Sequence, residues 1–141
     1  MGSIVFGVDV LDKYFKNALE PPATIVVAGH PGAGKTTLAS TICYANTLRG
    51  YRCLYISFQE DKEKLFRNMA GVGMDLRLAE EKGLLTFTKL PIVLDVEKVV
   101  EHINSIVIGF SPTIIVVDSI NSMLLAVSDE SKRALATELL L

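Results

Sequence analysis

The sequence predicts an α/β fold in which a mostly parallel sheet carries helices on both faces. Short β-branched apolar runs alternate along the chain with segments whose apolar residues recur at helical spacing. Strands that alternate with helices imply parallel crossover connections, and such strands are apolar throughout because both faces are covered. The chain has 141 residues, half of them apolar, which is enough for one domain with a real core.

The first predicted elements are a short helix and a buried strand. Residues at helical spacing indicate the helix, namely Leu11, Tyr14 and Phe15. The proline pair at 21–22 ends this segment. The β-branched run Thr24–Ala28 then predicts a buried strand, which a glycine-rich turn at 29–34 follows.

Two helices and a strand are predicted next. A helix begins near Lys35 and is closed by Gly50, and Leu38, Ile42 and Ala45 mark one face of it. Arg52–Phe58 predicts the second strand. Asp61–Ala70 predicts another helix, whose inward residues are expected to be Leu65, Phe66 and Met69.

The rest of the chain continues the alternation. Leu84–Thr88 predicts a third strand, and apolar residues within 96–107 recur at i, i+3, i+4 and i+7, which predicts a helix of about four turns. Thr113–Val117 predicts a fourth strand. The segment Glu130–Leu141 has a helical pattern without a C-cap, so we expect 1–141 to be a single domain that is incomplete at its C-terminus.

Composition narrows the classes of partner and compartment. The formal net charge is −2, so charge gives no support to a nucleic-acid partner. Cys43 and Cys53 show neither metal-ligand nor disulfide spacing, which suits a reducing cytosol. Apolar runs stay well below the ~18 residues of a membrane span. We therefore expect a cytoplasmic protein without a membrane partner.

A motif of eight residues lies between the first predicted strand and the helix that follows it. It runs Gly29-His30-Pro31-Gly32-Ala33-Gly34-Lys35-Thr36, matches G-x-x-x-x-G-K-[ST], and continues into Thr37. Glycines let the backbone approach a phosphate, and the loop amides and the helix N-terminus favour anions. The motif predicts a phosphate-binding (Walker A) loop for ATP, with Lys35 at the β- and γ-phosphates and the Thr36 hydroxyl as a Mg²⁺ ligand.

The fourth predicted strand ends in an acid, Asp118. Such a strand delivers one carboxylate to the carboxyl edge of the sheet, where a phosphate-binding loop also lies. Beside that loop the carboxylate of Asp118 is expected to hold the Mg²⁺ shell, as a Walker B aspartate does. The alternative is a strand-end aspartate that caps the next turn.

Hydrolysis of ATP also needs a group that orients or deprotonates the attacking water. Asp118 is followed by Ser119 rather than by an acid, but an acid at the tip of a neighbouring strand could supply this group instead. Glu60, after the second predicted strand, is the candidate, with Gln59 directly before it. The alternative is that Glu60 only adds negative charge to the first turn of the next helix.

At this point the sequence resembles the RecA superfamily of ATPases and, within it, the KaiC/RadA-like branch. The resemblance extends over nearly the whole chain and rests on the stretches Gly7–Asp12, Gly29–Leu38, Leu54–Glu60, Asn68–Asp75 and Ile115–Ser119. It implies an ATPase that works as a homo-oligomeric ring or filament with nucleotide at the subunit interfaces. It also implies the roles given above for Lys35, Thr36 and Asp118.

Gln59 departs from the pattern of this branch. The family usually has two glutamates after the phenylalanine of the second strand, and the first of them aligns with the catalytic glutamate. Three functions therefore stay open. They are an ATPase that drives assembly or remodelling of a protein or nucleic-acid partner, an ATP-binding switch or scaffold with little hydrolysis, and a recombinase-like DNA-binding ATPase. The absence of an Asn/Thr-Lys-x-Asp base reader from the sequence argues against a GTPase.

Overall fold

The computed structural model describes residues 3–91 and 95–119. From residue 35 onward, one or two helices separate successive strands, which confirms the α/β class. The elements are α1 (Asp9–Tyr14), α2 (Lys35–Thr47), β1 (Cys53–Ser57), α3 (Lys62–Ala70), α4 (Leu76–Glu81), β2 (Leu85–Lys89), α5 (Val96–Phe110) and β3 (Ile114–Asp118).

The strands pair as one parallel sheet in the order β2–β1–β3. Ser57, the last residue of β1, is level with Lys89 of β2 on one side and with Asp118 of β3 on the other. The three strands therefore end at one common edge. In parallel α/β sheets ligands bind beyond this carboxyl edge, so the topology places the candidate site there.

Successive side chains of β1 point into two different cores, as the period of a strand requires. Cys53 and Tyr55 belong to the core that α3 and α4 cover, together with Cys43 of α2. Leu54 and Ile56 belong to the core that α5 covers on the opposite face. All five side chains are almost completely buried, so helices cover both faces of the sheet as predicted.

The predicted helices at 61–70 and 96–107 correspond to α3 and α5. The three residues of α3 that were expected to face inward are buried. A further helix, α4, has 6 residues, of which only Leu76 and Ala79 are buried, and apolar spacing did not predict it. Asp75 precedes α4, and its carboxylate accepts a hydrogen bond of 3.0 Å from the Leu78 N–H, so Asp75 stabilises the start of α4.

The predicted strand Thr24–Ala28 is wrong. These residues have no strand pairing, and they are exposed, with Val26 at 71%. A cleft of about 770 Å³ is lined by this segment and by residues 113–119, which include β3. β-branched residues favour a strand only where a partner strand and covering side chains are present, and tertiary structure decides that.

The apolar face of α2 is not its most buried face. Leu38, Ile42 and Ala45 are only half-buried, whereas the buried residues of this helix are Ser40, Cys43, Asn46 and Thr47. The Asn46 amide exchanges two hydrogen bonds with the backbone of Val5, at 3.0 and 2.7 Å. A buried polar residue with such partners is stable in a core, but apolar periodicity cannot reveal it.

The predicted C-terminal helix, Glu130–Leu141, lies outside the described residues. Among the helices of residues 3–91 and 95–119, none has the length and apolar character that a membrane crossing requires.

Candidate functional site

The glycine-rich loop at 29–34 is an exposed turn that leads directly into α2. Gly32 and Gly34 have φ values of 84° and 96°, a backbone region that glycine enters at little cost. The Ala33 N–H donates a hydrogen bond of 3.1 Å to the His30 carbonyl, which closes the turn. The loop is therefore folded tightly by its own backbone, as a loop that wraps a phosphate must be.

α2 begins without a side-chain cap. Gly34 is the N-cap, and the first helical hydrogen bond runs from the Leu38 N–H to the Gly34 carbonyl at 2.9 Å. The N–H groups of Lys35, Thr36 and Thr37 therefore have no partner within the helix. Free N–H groups and the positive end of the helix dipole meet at this point, and both favour an anion such as a phosphate.

The Lys35 side chain folds back over the loop. Its Nζ donates a hydrogen bond of 2.7 Å to the Gly29 carbonyl. A Cβ on Gly29 would lie 3.0 Å from the Ala33 Cβ and 3.8 Å from the Lys35 Cδ, so glycine lets the loop and this side chain pack closely. None of the ion pairs within residues 3–91 and 95–119 involves Lys35, which leaves its charge available to an anionic ligand.

Two side chains donate to one carboxylate oxygen at the carboxyl edge of the sheet. Thr36 Oγ1 donates to Asp118 Oδ2 at 2.7 Å, and the Tyr55 phenol donates to the same oxygen at 2.8 Å. The fold thus brings the threonine of the loop and the aspartate of β3 into direct contact although 82 residues separate them. Hydroxyl and carboxylate oxygens suit Mg²⁺, so the donor set fits the metal that the sequence predicts.

Tyr55 is the residue of this site that the sequence did not reveal. It lies within an apolar strand, in the stretch Leu54–Glu60 that resembles the family, but the sequence assigns it no role; its contact with Asp118 arises from the pairing of β1 with β3. Burial, and then the negative charge of Asp118, raise the pKa of the Tyr55 phenol well above its ordinary value, so the phenol stays a hydrogen-bond donor. The one sequence feature that points to Tyr55 is its polar hydroxyl, carried two residues before the end of a largely apolar central strand.

The structure places Glu60 and Gln59 just beyond β1, at the same edge as Asp118. Glu60 is half-buried and its N–H donates a hydrogen bond of 3.0 Å to Ser57 Oγ. Gln59 is exposed. Among the described residues, no hydrogen bond joins either side chain to Thr36 or Asp118, so the geometry brings these two residues to the correct edge without linking them to the other site residues.

Comparison with known proteins gives one family. The family model described as "ATPase: KaiC" matches residues 4–140. The circadian clock protein KaiC2 of Synechocystis sp. is 36% identical over 103 residues, which are 72% of this chain and 18% of the relative. The circadian clock oscillator protein KaiC of Parathermosynechococcus lividus is 28% identical over 128 residues, which are 90% of this chain and 24% of the relative.

A DNA repair protein is similar to the chain as well. RadA of Mycobacterium tuberculosis is 26% identical over 117 residues, which are 83% of this chain and 22% of the relative. The chain therefore spans from 18% to 24% of the length of these three relatives. The match of the family model over nearly the whole chain, and the parallel sheet with its phosphate-binding loop, lead to the same conclusion: the chain belongs to the KaiC family of RecA-like P-loop ATPases.

Proposed function

We propose that this chain binds ATP with Mg²⁺ through the loop Gly29–Thr37 and the carboxylate of Asp118. The observation that carries the proposal is the 2.7 Å contact between Thr36 Oγ1 and Asp118 Oδ2, because it unites the hydroxyl and the carboxylate that would hold the metal. The loop amides and Lys35 would hold the phosphates. The metal, when bound, supplies positive charge to the β- and γ-phosphate oxygens.

We further propose that the chain hydrolyses ATP and uses the reaction to assemble or remodel a protein or nucleic-acid partner. Glu60 would orient or deprotonate the attacking water, since it is an acid at the tip of the strand beside β3. Lys35 would stabilise the charge that develops on the phosphates. Residues 1–141 would act as one domain, and a homo-oligomeric ring or filament would form when the intact protein assembles, as the family resemblance implies.

The second candidate is an ATP-binding switch or scaffold that hydrolyses little ATP. Gln59 favours it, because an amide can position a water but is a poor base, and Gln59 stands where this family usually has its catalytic glutamate. A recombinase-like DNA-binding ATPase is the third candidate. The formal net charge of −2 gives it no support, and the residues after Ser119, where DNA-binding loops would lie, fall outside the described residues.

The test of binding is the affinity of the intact protein for ATP in the presence of Mg²⁺. Lys35→Ala should weaken binding by roughly 10- to 100-fold, the size expected when a charged hydrogen-bond donor is removed. Lys82→Ala is the matched control, because Lys82 is an exposed lysine that follows α4. Wild-type protein that fails to retain ATP at any Mg²⁺ concentration would contradict all three candidates.

The test that separates an ATPase from a switch is steady-state ATP turnover. With Glu60 as the catalytic acid, Glu60→Gln should lower turnover by about 100-fold or more. Glu81→Gln, a change at an exposed acid at the end of α4, is the control and should leave turnover unchanged. If wild type binds ATP but turns over no faster than Lys35→Ala, the switch is the correct function.

A further inference from the structure

Tyr55 contacts Asp118 through the sheet and independently of the phosphate-binding loop. Its phenol donates a hydrogen bond of 2.8 Å to Asp118 Oδ2. Asp118 Oδ2 also accepts a hydrogen bond of 2.7 Å from the Thr36 hydroxyl. One donor therefore reaches the carboxylate from α2 and the other from β1. Two hydrogen bonds to a single oxygen restrict rotation of the carboxylate about its Cβ–Cγ bond more than one hydrogen bond would.

The register of the sheet explains why a tyrosine at this position reaches the carboxylate. Tyr55 is level with Val116, and Asp118 is two residues further along β3, on the same face of the sheet. A rise of about 3.3 Å per residue and a spacing of about 4.8 Å between strands put such diagonal neighbours roughly 8 Å apart, a distance that an aromatic side chain with a polar tip can span. Shorter side chains such as serine or aspartate at position 55 would not reach.

Packing fixes the phenol ring in this direction. The Tyr55 ring stacks on Phe87 of β2 with a centroid distance of 5.6 Å and an interplanar angle of 15°. Tyr55 is only 1% exposed, so its hydroxyl has no access to bulk water as an alternative partner. A buried hydroxyl without a partner costs free energy, and the carboxylate of Asp118 satisfies it. The hydrogen bond is therefore a preformed part of the core.

From these contacts we propose that Tyr55 is a positioning residue that holds the Asp118 carboxylate in the orientation needed to bind the cation of the nucleotide. The inference rests on the proposed function, because it assigns a partner to the proposed metal ligand Asp118. Residues that orient a metal ligand by hydrogen bonding commonly change metal affinity by about 10–100-fold when they are replaced. Tyr55 itself touches neither nucleotide nor metal in this role.

The test uses Tyr55→Phe in the intact protein, which removes the hydroxyl and keeps the ring. Two affinities are measured: that of ATP in excess EDTA, and that of Mn²⁺ for the protein–ATP complex by electron paramagnetic resonance. We expect Tyr55→Phe to weaken Mn²⁺ binding by about 10–100-fold and to leave ATP affinity in EDTA unchanged. Tyr44→Phe, at a half-buried tyrosine of α2, is the control and should change neither affinity.

Three results would be decisive. Mn²⁺ affinity equal to that of wild type in a folded Tyr55→Phe variant overturns the inference and leaves the proposed function intact. Equal losses of ATP affinity with and without metal also overturn it, because they indicate a general loss of structure. Wild-type protein whose ATP affinity does not depend on a divalent metal contradicts the proposed function itself, and the inference with it.

A second measurement covers the case in which Tyr55→Phe does not fold. Incorporating 3-fluorotyrosine at position 55 alone gives one ¹⁹F label at this phenol. Adding Mg²⁺ to the ATP complex should shift the Tyr55 resonance, because the oxygen that accepts its hydrogen bond belongs to the proposed metal ligand. A Tyr55 resonance that stays unchanged overturns the inference.

Discussion

Thr36 Oγ1 and Asp118 Oδ2 lie 2.7 Å apart, so the first turn of α2 is joined directly to the last residue of β3. The donor is a neutral hydroxyl and the acceptor is a partly buried carboxylate, the pairing that gives short and comparatively strong hydrogen bonds. The same contact can therefore contribute to stability before any ligand binds. The stability of the ligand-free protein can test its strength.

A double-mutant cycle measures that strength. Thr36→Val, Asp118→Asn and the double variant are unfolded with urea in the absence of nucleotide and metal. We expect a coupling free energy of about 1.5–3 kcal/mol, the scale of a hydrogen bond to a charged group once solvation is included. Thr41→Val combined with Asp118→Asn is the control. The Thr41 hydroxyl donates to the Thr37 carbonyl, so this cycle should show no coupling. Equal coupling in both cycles would contradict the assignment.

Gln59→Glu should raise ATP turnover if the amide at this position limits hydrolysis. The change restores an acid at the tip of β1, and a positioned general base contributes about 10²–10⁴-fold to a rate. Gln59 is exposed, so the substitution should not alter stability. Steady-state turnover is the measurement, and Gln59→Ala, which removes the amide without adding an acid, should not raise it. A Gln59→Glu variant as slow as wild type would show that Gln59 is not what limits the rate.

Gly7→Ala should destabilise the protein by about 1–3 kcal/mol. Gly7 has a φ of 79°, and a Cβ added there would lie 2.6 Å from the Ala45 Cβ of α2. Gly109→Ala is the matched control. Gly109 lies in α5 and a Cβ there meets nothing within 4 Å, so alanine should stabilise that helix by about 0.5–1 kcal/mol. Urea unfolding of both variants gives the comparison, and effects of the same sign would contradict it.

The buried thiol of Cys53 should make stability fall at alkaline pH. Burial, and then the neighbouring Cys43 thiol, raise the pKa of Cys53 above its ordinary value. In the unfolded chain the thiol ionises near pH ~8.5, while the folded protein keeps the proton, so the free energy of unfolding decreases as pH rises above that value. Cys53→Ala should show a smaller decrease between about pH 8.5 and 10.

The measurement for Cys53 is the slope of the free energy of unfolding against pH. Replacing a core residue also lowers stability by an amount that does not depend on pH, and this amount does not affect the slope. Leu65→Ala is the control, because Leu65 is a buried core side chain without a titratable group and its loss should leave the slope as in wild type. Curves for Cys53→Ala and wild type that run parallel through this pH range would contradict the prediction.

The parts of the fold that depend on local sequence were predicted well. The α/β class, α3 with its buried face of Leu65, Phe66 and Met69, and α5 all follow from apolar spacing. The short helix α4 was missed, and so were the polar contacts of Asn46, which leave no apolar period in the sequence. The strand predicted at 24–28 was wrong, since strand formation depends on a partner that local sequence does not specify.

By itself, the sequence determined the glycine-rich turn at 29–34 and the start of α2, because both depend on residues that are neighbours in the chain. It also determined that Asp118 ends a strand. Only the tertiary structure decided that Thr36 and Tyr55 donate to the same oxygen of Asp118, since the register of β3 against β1 and the docking of α2 bring these residues together. Contacts between residues 82 and 63 positions apart depend on how whole elements pack, and no short-range pattern records that packing.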